Sequence, residues 1–439
     1  MYLKSVKMSP PQLLILTFII SIAVGTVILK LPFSTTGGIS WVDAFFTSTS
    51  AMTVTGLAVI DTGKSFTLFG EVAIMILIQL GGLGIMSFAV LIYIMLGRKI
   101  GFKGRMILQQ ALNQTSIGGV IRLVKTLLFY SIIIEFIAFL MLCLRWIPEF
   151  GWKTGSYYSL FHSISAFNNA GFALWPDGLS RYVGDPVVNL VITLLFIIGG
   201  LGFTVLTDLW YKKEFRQLTL HSKMMIVGTL IINVVAMLTI FGLEFNNPNT
   251  LGSLTANEQF WASYFQAVTT RTAGFNTVDI GGLENSTVLF MVFLMFIGAG
   301  SASTGGGIKL TTFMIIFLAV FSFIKGKKDI VIFKKSLASF FILKALAIFM
   351  ISVLFVFLAL FIINITEELP FLELLFEVVS AFGTVGLSMG ITADLSAVGK
   401  IVIIFIMFLG KLGPLTLAFS LAKPEKTNVK YPSEDVLTG

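Results

Sequence analysis

The chain has 439 residues, 56% of them apolar, a mean hydropathy of +0.94 and a net charge of +8. Soluble domains run at roughly 45–50% apolar even with glycine counted, so a soluble enzyme or binding module is excluded at the outset. The excess of lysine and arginine does not mark a nucleic-acid binder, because it is concentrated in a few short connections.

Eight apolar runs near the twenty residues needed to cross a bilayer predict spans near 12–32, 68–96, 122–144, 186–210, 224–243, 288–323, 338–363 and 398–421. The first is too long for a cleavable signal, and no small-residue cleavage site follows it. Between the two members of each successive pair lie segments of about twelve apolar and small residues, 41–52, 156–167, 258–270 and 371–382. They are too short to cross and read as re-entrant helices. Each leads into a variation of one motif ending in glycine: Phe46 to Gly56, Phe161 to Gly171, Tyr264 to Gly274 and Phe376 to Gly386. An aromatic stands ten residues before each glycine, and Ser-Ala stands six and five before it in three of the four. The glycines are 115, 103 and 112 residues apart. The expected fold class is an all-α integral membrane protein of four repeats, 1–98, 99–212, 213–328 and 329–439. Each repeat is span, re-entrant pore helix, span, and the whole has pseudo-fourfold symmetry.

Charge sets the expected orientation. The connections 97–126, 211–223 and 324–336 hold 15 Lys/Arg and 2 Asp/Glu, whereas 31–71, 145–187, 244–287 and 364–400 hold 6 and 15. The positive-inside rule puts the basic connections and both termini in the cytoplasm, and all four glycine motifs toward the other side. The acidity there attracts cations.

Irregular backbone at membrane depth is tolerated only where protein buries it or it lines a watery cavity. Thr, Asn and Gly follow each short helix, so these stretches are expected to converge on a polar axis rather than to be four ordinary outer loops with turn glycines. A cation that sheds its water needs oxygens at fixed radius, and four short backbone stretches can supply carbonyls to one axis. Glycine adopts the positive φ that inward-pointing carbonyls require. The expected ion-binding filter is therefore Val54, Thr55 and Gly56; Asn169, Ala170 and Gly171; Thr272, Ala273 and Gly274; and Thr384, Val385 and Gly386. The negative C-terminal ends of the short helices favour a cation at the same place.

The returning spans carry a second repeated feature: Gly81-Gly82, Gly199-Gly200, Gly298 with Gly300, and Gly410, at 24 to 28 residues after the first glycines. Close helix packing accounts for the first two. The third, Gly298 to Lys309, has one large apolar side chain in twelve residues and predicts a break in its span. Its Gly298, Gly300, Ser301, Ser303, Thr304, Gly305, Gly306 and Gly307 are expected to lie across the cavity as a movable plug; a static packing kink is the alternative. The spacing of a phosphate loop is absent around Lys309. Lys411, deep in the last span between glycines, is expected to set a charge barrier on the axis, since an intramembrane charge is functional by default. Cys143 is the only cysteine, so no intrachain disulfide forms. His162 and His221 have no metal-ligating companions, and His162 is read as packing inside a short helix. Glu135 and Lys344 are assigned pairing or interfacial roles.

These motifs, in this order and spacing from about residue 11 to 422, resemble the Trk/Ktr/HKT potassium uptake family. The short length, with eight spans and no additional pair before them, is most similar to the bacterial Ktr membrane subunit. The resemblance implies that the four motifs form a potassium filter and that Gly298 to Gly307 is an intramembrane gating loop. It also implies a homodimer with one pore per protomer in the lipid bilayer of the plasma membrane, and a cytosolic ring of nucleotide-binding regulatory subunits. It implies potassium as substrate ion, sodium as an activator, and no cofactor or nucleic acid. Many members carry arginine where this chain has Lys411. Two rival readings are weighed. An inverted-repeat, alternating-access transporter requires halves of opposite topology, whereas these four units share one orientation. A membrane-embedded enzyme requires a catalytic pair inside the spans, and the ionisable residues there do not form one.

Overall fold

The structure, a computed structural model, describes residues 10–84, 120–327, 329–413 and 434. The expectations for the N-terminal residues, most of the first basic connection and the tail from Lys423 lie outside these, Glu434 aside.

The described chain is mostly helical, and one architectural phrase recurs along it: a long apolar helix, a short one, then one or two further helices. The first occurrence is α1 (Pro10–Lys30), α2 (Trp41–Thr53), the single turn α3 (Thr62–Ser65) and α4 (Leu68–Leu83). The second is α5 (Val120–Phe167), α6 (Pro186–Leu201) and α7 (Phe203–Tyr211). The third is α8 (Leu220–Glu244), α9 (Ala256–Thr269), α10 (Asn285–Phe296) and α11 (Leu310–Ile324). The fourth is α12 (Ser339–Thr366), α13 (Phe371–Gly383) and α14 (Ala397–Leu412). In the second, the expected span and re-entrant helix join through a kink at Gly151, which has φ of 79°, just after Pro148.

The long helices are apolar on every side. Phe340, Leu343, Met350, Phe357 and Phe361 of α12 all stand exposed, which is the surface of a helix solvated by lipid. Among the described residues four helices are long and apolar enough to cross a membrane: Gln12–Lys30, Val124–Phe167, Leu220–Glu244 and Ser339–Thr366; the bent pair α6 and α7 makes a fifth. This is a multi-pass membrane protein. A break is expected only in the third returning span, yet the second is also interrupted, between α6 and α7, and the described parts of the first and fourth end at a glycine. Glycine at positive φ stops it in three repeats, at Gly84 (82°), Gly202 (98°) and Gly413 (84°), and α7 leaves α6 at 94°. One small hairpin also occurs where the sequence predicts no strand. β1 (Val331–Ile332) pairs antiparallel with β2 (Lys335–Ser336), and Phe333 and Lys334 between them both have positive φ, as a two-residue hairpin turn requires.

The short helices form the centre. Thr47, Ser48, Thr49 and Ser50 of α2 are enclosed by protein, as are the motif aromatics Phe46, Phe161 and Phe376. Glycine lets the returning helices reach them. A Cβ at Gly81, Gly199 or Gly410 would stand 1.9, 2.1 and 2.0 Å from the carbonyl oxygens of Met52, Phe167 and Phe382. Each of those residues lies four before its motif glycine. Gly298, the counterpart in the third repeat, instead meets the Gly306 carbonyl of its own loop. First and last repeats are tied by Lys400 Nζ donating to Asp43 Oδ1 at 2.9 Å.

Gly410→Ala should lower stability by about 1–3 kcal/mol, because the clash is with backbone that cannot swing away. Gly242→Ala, which meets nothing within 4 Å, should leave the unfolding midpoint of detergent-solubilised protein unchanged or slightly raised. Equal midpoints for the two variants would refute this account of the packing. Burial pushes the Asp43 carboxyl up, but hydrogen bonds from Ser40 and Lys400 and the Lys400 charge hold it below the usual carboxylate range. A depressed folded value means that the tie contributes above the unfolded carboxyl's value of about 3.9 and is lost as pH falls through the folded one. Asp43→Asn should therefore cost up to about 1 kcal/mol at neutral pH, and the gap in unfolding midpoint from the unsubstituted protein should narrow as the medium is acidified below about pH 4.

Candidate functional site

Each short helix ends three to five residues before its glycine, and the way it ends fixes the local backbone. In three repeats the residue two before the glycine is left-handed: Val54 (φ 52°), Asn169 (57°) and Thr384 (49°). Its N–H donates to Ala51, Ala166 or Ala381 at 3.1 Å. The next N–H, of Thr55, Ala170 or Val385, reaches Ser50, Ser165 or Ser380 at 2.8 Å. These are the paired bonds that close a helix end, with β-branched residues or asparagine where glycine is usual. The third repeat closes differently, by a bond from Ala273 N to Thr269 O of 3.0 Å, yet Thr272 is again left-handed at φ 67°. The glycines follow at 93°, 67°, 78° and 90° for Gly56, Gly171, Gly274 and Gly386. The positive φ expected of them is present; the left-handed neighbour two residues earlier was not foreseen. Such a conformation costs a β-branched residue on the order of 1–3 kcal/mol and persists only where its surroundings impose it.

The repeated serine has a part in imposing it. Ser50 Oγ and Ser380 Oγ accept from the N–H of Gly56 and Gly386, each at 3.1 Å. Ser165 Oγ donates to Phe172 O at 2.8 Å. In the third repeat, where valine replaces the serine, Thr269 one residue later donates to Phe275 O at 2.6 Å. A hydroxyl buttresses every motif from behind.

The four motifs close into a ring in chain order. A Cβ at Gly56 would lie 2.5 Å from Ala170 O, at Gly171 3.0 Å from Ala273 O, at Gly274 2.3 Å from Val385 O, and at Gly386 2.0 Å from Thr55 O. Each glycine thus abuts the carbonyl of the residue that precedes the next one, and the last returns to the first. All twelve residues expected at the filter belong to these stretches.

The segment from Gly298 to Lys309 lies against this ring. The third returning helix breaks at Ile297 and resumes at Leu310, as its composition predicts. Gly298 N donates to Ile308 O at 2.8 Å and closes the loop at its base. Gly300 N and Thr304 N donate to Gly200 O and Gly199 O, Ala302 O accepts from Phe203 N, and Gly307 N donates to Gly410 O. The buried loop therefore satisfies its own backbone and that of the breaks in α6 and α14. Side chains of the left-handed residues hold it from the ring side. Asn169 Oδ1 accepts from Thr304 Oγ1 at 2.8 Å, Thr384 Oγ1 accepts from Gly306 N at 2.9 Å, and Gly305 leaves no room for a Cβ against Thr272 Oγ1. Ser303 Oγ donates to Gly300 O at 2.7 Å, and Ser301 Oγ lies 3.4 Å from Thr311 Oγ1. Lys411 Nζ donates to Thr304 O, and Lys309 Nζ donates to Gly305 O at 2.6 Å.

Other singled-out residues find ordinary places. His162 is buried, stacked on Trp175 at 4.4 Å and hydrogen-bonded to Tyr158 O, which is the packing role expected of it. Cys143 is free and buried. Glu135 accepts from Gln79 Nε2 at 3.0 and 3.2 Å, and Gln79 Oε1 accepts from Asn168 Nδ2 at 2.7 Å. Lys344 is half-buried and makes no ion pair among the described residues. No cluster of metal-ligating side chains occurs among the described residues.

An apolar helical bundle whose short helices deliver a closed ring of glycines at its centre has the build of a multi-pass membrane cation transporter. The chain belongs to the TrkH family of cation transport proteins, whose model matches residues 13–431. It is 57% identical to the Ktr system potassium uptake protein B of Bacillus subtilis, over 100% of this chain and 98% of that one. It is 45% identical to the protein of the same name from Vibrio alginolyticus, over 99% and 96%. It is 37% identical to the potassium/sodium uptake protein NtpJ of Enterococcus hirae, over 99% and 98%. The fold is similar to the crystal structure of the potassium transporter TrkH from Vibrio parahaemolyticus, with a TM-score of 0.72 and 21% identity over 95% of this chain and 86% of that one.

Proposed function

We propose that this chain takes up potassium across the plasma membrane through the passage at its glycine ring, and that it is a transporter rather than an enzyme. The observation that carries this reading is the closed cycle of contacts from Gly56 through Gly171, Gly274 and Gly386 back to Thr55 O. Main-chain oxygens of Val54, Thr55, Asn169, Ala170, Thr272, Ala273, Thr384 and Val385, with those of the glycines, act as the filter that replaces the ion's water. Side chains differ among the four motifs while the positive φ at the glycine and two residues before it recurs in all four, as expected if the carbonyl is the ligand. The name of the 57% identical relative supports potassium as the ion.

The segment from Gly298 to Gly307 acts as the gate. Its ties to Asn169, Thr384 and Gly410 hold it across the passage, and Lys411 pins Thr304. A lysine here keeps the barrier charge but lacks the two-pronged grip of a guanidinium. The rest follows the family resemblance and the charge pattern: four repeats about one axis, both termini in the cytoplasm, a homodimer, and a nucleotide-binding ring on the inner face. Sodium acts as an activator, a role in keeping with the potassium/sodium name of the Enterococcus relative.

Two measurements test this in purified protein reconstituted into vesicles. Serine in place of Gly56, Gly171, Gly274 or Gly386 should relax the preference for potassium over sodium in ion-competition uptake, because no Cβ fits at any of the four. Preserved preference in all four folded variants removes the filter assignment. Lys411→Met should raise basal potassium efflux several-fold by freeing Thr304 and lowering the barrier to a cation. Unaltered efflux in a variant of normal stability removes the gate assignment.

A further inference from the structure

Arg271 is the only charged residue between the end of a short helix and its motif glycine. It directly precedes the left-handed Thr272 and is 7% exposed. It forms no ion pair among the described residues, and its Nε has no hydrogen-bond partner. A guanidinium cannot shed its proton, so the charge stays, and an unpaired charge at membrane depth costs several kcal/mol of desolvation. A residue needed only for packing would not be of this kind.

The side chain lines a small cavity between α6, α8 and α9 together with Thr229, Asn233 and Gly200. Thr229 Oγ1 and Asn233 Oδ1 also lack partners. Residues that carry one unpartnered donor and two unpartnered acceptors thus line a space that holds about one ordered water, and such a water makes two to four bonds to groups of this kind. Two other motifs have a carboxyl behind them instead of a guanidinium. Glu135 joins the second through Gln79 and Asn168, and Glu377 of α13 is fully buried with Oε2 unpartnered. A cage of carbonyls with negative helix ends and carboxyls behind it holds a cation tightly, whereas passage demands that the ion also leave.

We propose that Arg271 is a specificity-determining residue of the ring: a fixed positive charge, solvated by a water shared with Thr229 and Asn233, that weakens monovalent-cation binding enough to permit release. This rests on the function proposed above. At an effective dielectric constant of about 20, Coulomb's law makes a unit charge at a separation of about 10 Å worth roughly tenfold in cation affinity, which sets the scale of the expected effect.

The test is the initial rate of potassium uptake into vesicles against potassium concentration, paired with the concentration of KCl that half-stabilises the detergent-solubilised protein against heat. Arg271→Gln should lower both half-saturation points by about tenfold and lower the maximal rate with them, while Arg271→Lys stays close to the unsubstituted protein. Asn233→Asp, which gives the guanidinium a counter-charge without removing it, should shift half-saturation in the same direction and serves if Arg271→Gln does not fold. Loss of a merely structural prop would raise half-saturation or erode ion preference, so a rise, or no change, in Arg271→Gln and Asn233→Asp overturns the proposal. If the unsubstituted protein neither transports potassium nor is stabilised by it, the proposed function fails instead.

Discussion

The whole arrangement depends on four backbone stretches coming closer together than side chains permit. At Gly56, Gly171, Gly274 and Gly386 the neighbouring main chain occupies the space of a β-carbon. Glycine alone admits both that approach and the positive φ. The residue two places earlier has no such licence, and Val54, Thr272 and Thr384 are held left-handed against their preference. That strain is sustained by the helix ends, by the hydroxyls of Ser50, Ser165, Thr269 and Ser380, and by the returning helices lying on the carbonyls of Met52, Phe167 and Phe382.

Breaks in the returning helices serve the same end. A helix that stops at membrane depth leaves N–H and C=O groups without partners, and lipid cannot supply them. The loop from Gly298 to Lys309 meets much of this demand. It takes the Phe203 N–H, gives N–H groups to Gly199, Gly200 and Gly410, and offers carbonyls to Lys309 and Lys411. Its glycines matter for the same reason as those of the ring: Gly305 and Gly306 lie directly against Thr272 and Thr384. Loop and ring therefore share bonds, so a displacement of one is felt by the other.

Where reading along the chain erred, the cause was a competition that hydropathy cannot register. The run 186–210 is apolar enough to cross as one helix, but Gly202 interrupts it, because the loop of another repeat reaches Phe203 N through Ala302 O. The Ser-Ala repeat was visible as a pattern without a role, since its role lies in which way each hydroxyl points. The exception at Val268-Thr269 was equally visible, and it coincides with the one helix that ends differently. Arg271 was within view as a charge in a motif of small residues, yet nothing local says that no acid among the described residues pairs with it.

From the sequence alone came the membrane, the short helices, the four glycines at positive φ and the break at 298–308. Each of these follows from hydropathy, length, repetition or the absence of a side chain, which are properties of residues taken in order. Only the tertiary structure decided that the motifs close into a ring in chain order, that Asp43 meets Lys400, and that Lys411 meets Thr304. Those contacts join residues more than a hundred positions apart, and in such cases the partner is chosen by packing in three dimensions, which no local preference encodes.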